Sequence, residues 1–320
     1  MRYLLLEPDQ LDRREWESLL SDSPAASIYH TAEWAGLWPA AFKGFRAWFA
    51  VAADGEGYLA GLPALARGRW PVVRIYSMPM GTYGGMVARP GLSGRAEDHC
   101  RRLLATLQRL RPCLTELVDF EERLGFLAKH GFQRRQARTH IADLEAHRRQ
   151  SKQKTKRGAI QSAKRGVEVK ELTREAELGR CYELLVKRDR GYGQTTKYPP
   201  EFLKRLWKDL QPLGRAQIGL AVHESRIIGF AANLCYDRTL TYWDGASDPE
   251  FKSLRPADAL IQAAMAWGLE KGCRWFNLGG SPPGAQGLMR FKESWGGQAR
   301  EYGVYTRQAG WYKTLSGWRR

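Results

Sequence analysis

The chain has 320 residues, 43% of them hydrophobic and 11% aromatic, which excludes a wholly disordered protein and leaves room for two domains of roughly 150 residues each. Lys and Arg number 51 against 34 Asp and Glu, a formal net charge of +17, and such an excess favours polyanionic partners: nucleic acid, nucleotide-linked substrates or an anionic membrane face. A mean hydropathy of −0.51, with no apolar run near the ~20 residues a span requires, excludes an integral helical membrane protein.

In chain order, residues 2–6 read as a strand whose three leucines meet Glu7 too soon for a signal-peptide core. A helix follows over residues 10–20. Residues 45–53 and 58–66 are apolar strands joined by Asp54-Gly55-Glu56-Gly57, a hairpin signal. A strand over residues 72–77 runs into Gly81-Thr82-Tyr83-Gly84-Gly85. A helix over residues 95–110 carries Leu103, Leu104, Leu107 and Leu110 on one face. A strand at residues 114–120, a helix to residue 130 and a strand over residues 132–144 complete the first half.

The second half repeats this order: helices over residues 174–190 and 201–210, strands at 218–222, 227–234 and 240–245, a helix at 257–271, and strands at 274–278 and 302–307. Between the halves the charge concentrates. From His147 to Arg174 there are ten Lys or Arg against two Glu, so +8 of the +17 lies in 28 residues. Residues 148–165 read as one basic helix with a weak apolar face of Ala159, Ile160 and Ala163. The expected architecture is α/β with two similar subdomains, residues 1–149 and 150–320. Cys100, Cys113, Cys181, Cys235 and Cys273 are scattered, with no Cys-x-x-Cys and no His pair at ligand spacing. Neither a disulfide framework nor a metal site is expected, and a soluble cytoplasmic protein is.

The stretch Thr241-Tyr242-Trp243-Asp244-Gly245-Ala246-Ser247, then Trp275-Phe276-Asn277-Leu278-Gly279-Gly280, then Gly287-Leu288-Met289-Arg290-Phe291-Lys292-Glu293-Ser294-Trp295-Gly296-Gly297, resembles the Fem family of aminoacyltransferases. So does the basic helix ending in Lys164-Arg165-Gly166-Val167-Glu168-Val169, and more weakly Tyr29-His30-Thr31-Ala32-Glu33-Trp34 and Tyr83-Gly84-Gly85. The resemblance implies two tandem N-acyltransferase (GNAT-like) subdomains, each a mixed, mainly antiparallel sheet flanked by helices. It also implies a reaction: an amino acid passes from its tRNA ester to an amine, often on a peptidoglycan precursor. The ester is already activated, so no cofactor is required. Peripheral contact with the anionic inner membrane face fits such an acceptor.

Aminolysis of an ester needs a deprotonated amine, stabilisation of the tetrahedral oxyanion and protonation of the leaving oxygen. No Ser-His-Asp or Cys-His nucleophile is needed when the acceptor amine attacks. The resemblance places Lys292, in the Phe-Lys pair, at the active site. It places an arginine before Gly191 on acceptor phosphate, for which Arg188 and Arg190 are the candidates, because Asp189 occupies the strict position. Tyr83, Gly84 and Gly85, with Trp243, Asp244 and Arg290, are further substrate-contact candidates, the glycines because they admit close backbone approach. Lys152, Lys154, Lys156 and Arg157 are candidates for tRNA phosphates, against the simpler reading of a solvated charged face. Family members that bind nucleotide-linked precursors carry a lysine shortly after the tryptophan matching Trp34; here Ala35, Gly36, Leu37 and Trp38 follow.

The main alternative is an acyl-CoA-dependent N-acyltransferase. That chemistry cradles a pyrophosphate on consecutive backbone amides at a helix N-terminus. The matching segment here is Lys252-Ser253-Leu254-Arg255-Pro256-Ala257, which has no glycine and loses one donor at Pro256. A second alternative is a non-catalytic binder of RNA or membrane surface, supported by the charge alone.

Overall fold

The computed structural model describes residues 1–149, 154–281 and 284–317, with side chains described for all of these but 93–95, 154, 155 and 315–317. The elements of the first half are β1 (Arg2–Leu6), α1 (Arg13–Asp22), α2 (Ala32–Ala41), β2 (Phe45–Ala53), β3 (Tyr58–Arg67), β4 (Arg74–Tyr76), β5 (Val87–Ala88), α3 (Ala96–Leu107) and β6 (Leu114–Asp119). Next comes β7 (Gln133–Asp143), then α4 (Leu144–Arg149), α5 (Lys154–Lys164), β8 (Glu168–Glu171), α6 (Glu177–Gly191), α7 (Pro200–Arg205), β9 (Ala216–His223), β10 (Arg226–Tyr236), β11 (Thr239–Ser247), α8 (Pro256–Glu270), β12 (Trp275–Gly280) and α9 (Gln286–Ser294). The chain closes with β13 (Gln298–Gln308) and α10 (Gly310–Gly317).

Contacts divide the chain into two units, residues 1–137 with 301–320, and residues 138–300. The division falls earlier than the expected 149/150. Residues 301–320 join the first unit because β13 pairs antiparallel with β6, from Gly303↔Asp119 to Gln308↔Leu114. A C-terminal strand that completes an N-terminal sheet leaves no local sequence signal.

In the first unit β1, β2, β3 and β4 form an antiparallel run, with β5 also on β3, and β4 pairs parallel with β6. The β2–β3 turn is tied by Asp54 N to Gly57 O at 3.1 Å and by Glu56 N to the Asp54 carboxylate at 2.9 Å. Asp12 starts α1 by accepting from the amides of Arg14 and Glu15, the usual way to satisfy first-turn donors. Leu103, Leu104 and Leu107 of α3 are buried against Ala50, Leu62, Ile75 and Leu117 from the sheet. The expected helix before residue 130 is instead a short 3-10 stretch, Gly125–His130.

The second unit has the same sheet plan: β7–β12 antiparallel, β12–β11 parallel, then β11–β10, β10–β9 and β9–β8 antiparallel. Its core joins Leu144, Leu240, Ile261, Met265, Phe276, Leu278 and Trp295. The single basic helix expected over residues 148–165 is two helices, α4 and α5, and its middle, including Gln150 and Lys152, lies outside the described residues. The expected apolar face also does not dock. Ile160 is 55% exposed, and α5 meets the start of α8 through Gly158 and Ser162, one helical turn apart. Ser162 Oγ donates to Leu254 O at 2.7 Å, and a Cβ on Gly158 would stand 2.7 Å from the Arg255 guanidinium. Small residues set this close approach, where hydrophobic periodicity pointed to the opposite side.

All five cysteines are free and buried. Among the described residues, no helix is long and apolar enough to cross a membrane.

Candidate active site

The parallel pair in the second unit parts partway along. β11 and β12 pair at Thr239↔Trp275, Leu240↔Phe276 and Thr241↔Asn277, and both strands then run on, to Ser247 and Gly280. Two irregularities shape the lips of this opening. On β11, Ala232 of β10 faces Asp244 while Asn233 faces Tyr242, so Trp243 is the extra residue of a β-bulge. On β12, the pairing with β7 shifts between Asn277↔Ile141 and Gly280↔Thr139. The Asn277 side-chain oxygen accepts from Thr139 Oγ1 at 2.6 Å and from Gly279 N at 2.9 Å, which holds the turn. A Cβ on Gly279 would lie 3.4 Å from Tyr242 O, so the two lips are adjacent there.

Lys292, on α9, reaches this turn from below the surface. It is 5% exposed, and its Nζ donates to Gly279 O at 2.7 Å, Gly280 O at 2.6 Å and Ser281 Oγ at 3.1 Å. Three acceptors match the three protons of an ammonium, and no carboxylate is among them. Burial lowers the Lys292 pKa to about 8. The neighbouring His140 on β7 is 1% exposed, and burial first, then the Lys292 charge, lowers its pKa, so it stands neutral near pH 7. Its Nδ1 has no partner among the described residues. Trp295, fully buried one turn beyond Lys292, stacks on His147 and anchors the end of α9.

The facing lip carries Asp244. Its carboxylate accepts from Gly245 N at 2.8 Å and from the Arg188 guanidinium. Arg188 also donates to Gly245 O at 2.7 Å and holds Asp189 at 2.7 Å. Burial opposes the Arg188 charge, but Asp244 and Asp189 outweigh it and raise its pKa. This guanidinium is therefore saturated by two carboxylates and a carbonyl. Arg190, two residues on, is exposed and has no partner among the described residues. Trp243 packs on Tyr198 at 4.8 Å and stacks on Phe202 at 5.4 Å. Beneath it, Gly245 is required by space: a Cβ would fall 2.2 Å from Tyr242 Oη and 2.6 Å from Phe230 O.

The other candidates are dispersed. Arg290 is exposed and reaches back to Gln286 Oε1 at 3.3 Å. Two residues from Lys292, it lies about 200° around the helix, on the opposite face. Tyr83, Gly84 and Gly85 belong to the first unit. Tyr83 is 8% exposed and stacks on Phe120 at 4.1 Å; a Cβ on Gly84 would stand 2.1 Å from Ser77 O; Gly85 N donates to His30 Nε2 at 3.1 Å. Lys152 lies outside the described residues and of Lys154 only the helical backbone is described. Lys156 Nζ donates to Arg148 O at 3.2 Å, whereas Arg157 is exposed. Asn277 and Gly279-Gly280-Ser281 were not among the candidate site residues, yet Gly279, Gly280 and Ser281 hold Lys292 and Asn277 holds their turn. An asparagine followed by two glycines at a strand end was the available signal.

Residues 145–293, within the second unit, match the Acetyltransferase (GNAT) domain family. A FemX crystal structure aligns at a TM-score of 0.75 with 13% identity, over 95% of this chain and 97% of that one. A tandem GNAT protein from the clavulanic acid biosynthesis pathway aligns at 0.63 with 14% identity, over 97% and 98%. L-PGS from Bacillus licheniformis aligns at 0.60 with 14% identity, over 97% and 96%. No curated protein matches the sequence. With a mixed α/β sheet of the same plan in each unit, the chain has the tandem GNAT fold, of the kind found in FemX.

Proposed function

We propose that the protein is an acyltransferase that moves an amino acid from aminoacyl-tRNA to an amine, with a peptidoglycan precursor as acceptor. The observation that carries this reading is Lys292, a buried ammonium fixed by three neutral acceptors where β11 and β12 part. In the transfer, the acceptor amine attacks the ester carbonyl, the carbonyl oxygen takes on negative charge, and the ribose oxygen leaves. One proton moves overall from the amine nitrogen to the ribose oxygen. A preorganised cation near the developing oxyanion lowers that barrier through its charge. With a pKa of about 8 it can also give up a proton to the leaving oxygen near neutral pH, by exchanging one of its three protein acceptors for that oxygen.

The donor is argued from the start of α8. Pro256 has no N–H, and the amides of Asp258 and Ala259 already donate to Arg255 O. The Asp258 carboxylate, 8% exposed, sits in the same turn, and α5 packs against it through Gly158. The Asp258 carboxylate is ion-paired with Arg255 at 2.8 Å, so it is the shortage of free amides there that disfavours a coenzyme A thioester. An aminoacyl ester needs no such cradle. For acceptor phosphate, Arg190 is the exposed candidate at the end of α6, with no side-chain partner among the described residues, since Arg188 is committed to Asp244 and Asp189. On the donor side, Arg157 is the exposed tRNA-phosphate candidate on α5, with Lys156 beside it.

The test is incubation with a charged-tRNA mixture and wall precursors, followed by mass spectrometry of the acceptors, with acetyl-CoA in parallel. The expected result is a mass gain of one amino-acid residue from charged tRNA alone. Acyl transfer from the thioester, with low-micromolar binding of coenzyme A by calorimetry, would overturn the reading.

A further inference from the structure

One end of the first unit's sheet gathers three segments that are far apart in sequence and alike in composition. Residues 67–74 read Arg67-Gly68-Arg69-Trp70-Pro71-Val72-Val73-Arg74; residues 108–114 carry two arginines; residues 307–314 carry Trp311 between an arginine and a lysine; none contains Asp or Glu. Strand register brings them together. Arg67 pairs with Arg74 across β3 and β4, Arg74 with Leu114 across β4 and β6, and Leu114 with Gln308 across β6 and β13. The loops beyond are bonded to each other as well: Cys113 N donates to Val73 O at 2.7 Å, and Ala309 N to Cys113 O at 2.9 Å. This is the end opposite the Ser77–Gly85 turn, which follows the far end of β4.

The apolar side chains here stand in water. Trp70 is 72% exposed, Trp311 45% and Val72 40%, and the Arg67, Arg69 and Arg111 side chains around them are exposed too. Scattered single apolar residues on a surface need no explanation, but two indoles and a valine, on the loop after β3 and at the start of α10, ringed by arginines with no carboxylate partner among the described residues, are a patch with a chemical character. Indole rings favour the headgroup layer of a bilayer, and arginines beside them meet lipid phosphate. Exposed indoles can also stack nucleobases, but the aliphatic surface of Val72 and Pro71 beside them suits acyl chains and adds nothing to base stacking, which favours a bilayer over a single-stranded nucleic acid.

We propose that this end of the first unit docks on an anionic membrane surface, with Trp70 and Trp311 at headgroup depth and Arg67, Arg69 and Arg111 on lipid phosphates. The docking is independent of the transfer reaction and needs neither donor nor acceptor. It would hold the enzyme where a lipid-linked amine is presented.

Sedimentation of the full chain with phosphatidylcholine vesicles, with and without phosphatidylglycerol, tests it. The protein should partition onto the phosphatidylglycerol-containing vesicles and be released by high salt. Each arginine near such a surface strengthens binding about fivefold, so Arg69→Gln with Arg111→Gln should weaken partitioning roughly 25-fold. Trp70→Ser should weaken it while leaving the far-ultraviolet circular dichroism unchanged, because the side chain is exposed. Lys156→Gln with Arg157→Gln, on the other basic surface, should partition like the wild type. Equal binding to neutral and anionic vesicles, or wild-type partitioning by the double arginine variant, would overturn the proposal. So would a loss of tRNA affinity in that variant with vesicle binding intact, which would make the patch a nucleic-acid surface.

Discussion

Among the described residues, each unit contains a parallel strand pair that comes apart, and the two openings are treated differently. In the first unit β4 and β6 pair through Tyr76↔Glu116, and past that point the space is filled by the chain itself. Ser77 Oγ accepts from Val118 N at 2.9 Å, Gly84 lies against Ser77 O, and Tyr83 stacks on Phe120 with Tyr29 edge-on at 4.7 Å. In the second unit the lips of the opening hold Lys292 and Asp244, a buried ammonium on one strand end and a bridged carboxylate on the other. A duplicated sheet therefore supplies two similar gaps, and the side chains decide which one carries charge. Aromatic packing suits the first to stability; under the proposed function, a cation held by carbonyls, with no counter-charge among its hydrogen-bond partners in the described residues, would serve the second in stabilising an oxyanion.

The sharpest way to break this contrast is at Lys292. Lys292→Met should lower kcat for transfer from charged tRNA by about 10²–10³-fold, the usual loss for one oxyanion donor, with tRNA affinity within about twofold of wild type. A residual rate near wild type would leave the two gaps chemically equivalent. The same residue predicts a pH dependence of stability. Its folded pKa of about 8 is below the ordinary lysine value, so between that pH and the unfolded pKa the unfolded chain binds more protons. Wild-type stability, measured against Lys292→Met by urea unfolding, should therefore rise by about 3 kcal/mol as the pH climbs from about 8 toward 10.5, and the difference should be constant below that window. A flat difference would mean the lysine is not desolvated.

For the first unit the prediction runs the other way. Gly84→Ala places a methyl against backbone at Ser77 O and should cost roughly 2 kcal/mol of stability while leaving kcat per folded molecule unchanged. A large loss of kcat at full stability would make this turn part of the chemistry. The smallest effect is expected on α5, where Lys156→Gln with Arg157→Gln should flatten the log–log salt dependence of tRNA binding by about 1.5 units and raise KM without touching the chemical step. An unchanged slope would reduce these residues to a solvated face.

Much of the scaffold was legible because its signals are local. The β2–β3 hairpin follows from Asp54-Gly55-Glu56-Gly57, and the α3 leucine stripe from its period. Helix α2 was not foreseen: Trp34, Ala35, Leu37 and Trp38 are all buried, so it has no polar stripe, and Pro39 inside it argues against a helix. At the site, the Phe-Lys pair pointed to Lys292, but nothing in the sequence said that it would be clamped by Gly279, Gly280 and Ser281, since the partner of a backbone carbonyl is set by tertiary packing. The commitment of Arg188 to Asp244 was equally hidden, because the pair is separated by 55 intervening residues and joined only when α6 meets β11. The bulge at Trp243 depends on register with β10, which one strand cannot reveal.

The most direct test of the account is the pH profile of single-turnover transfer from aminoacyl-tRNA, in the wild type and in Lys292→Met. If the ammonium of Lys292 stabilises the oxyanion or protonates the leaving oxygen, the wild-type rate should fall as the pH rises through about 8, and the slower variant should lack that falling limb. The same falling limb in both proteins would contradict it and move the chemistry away from Lys292.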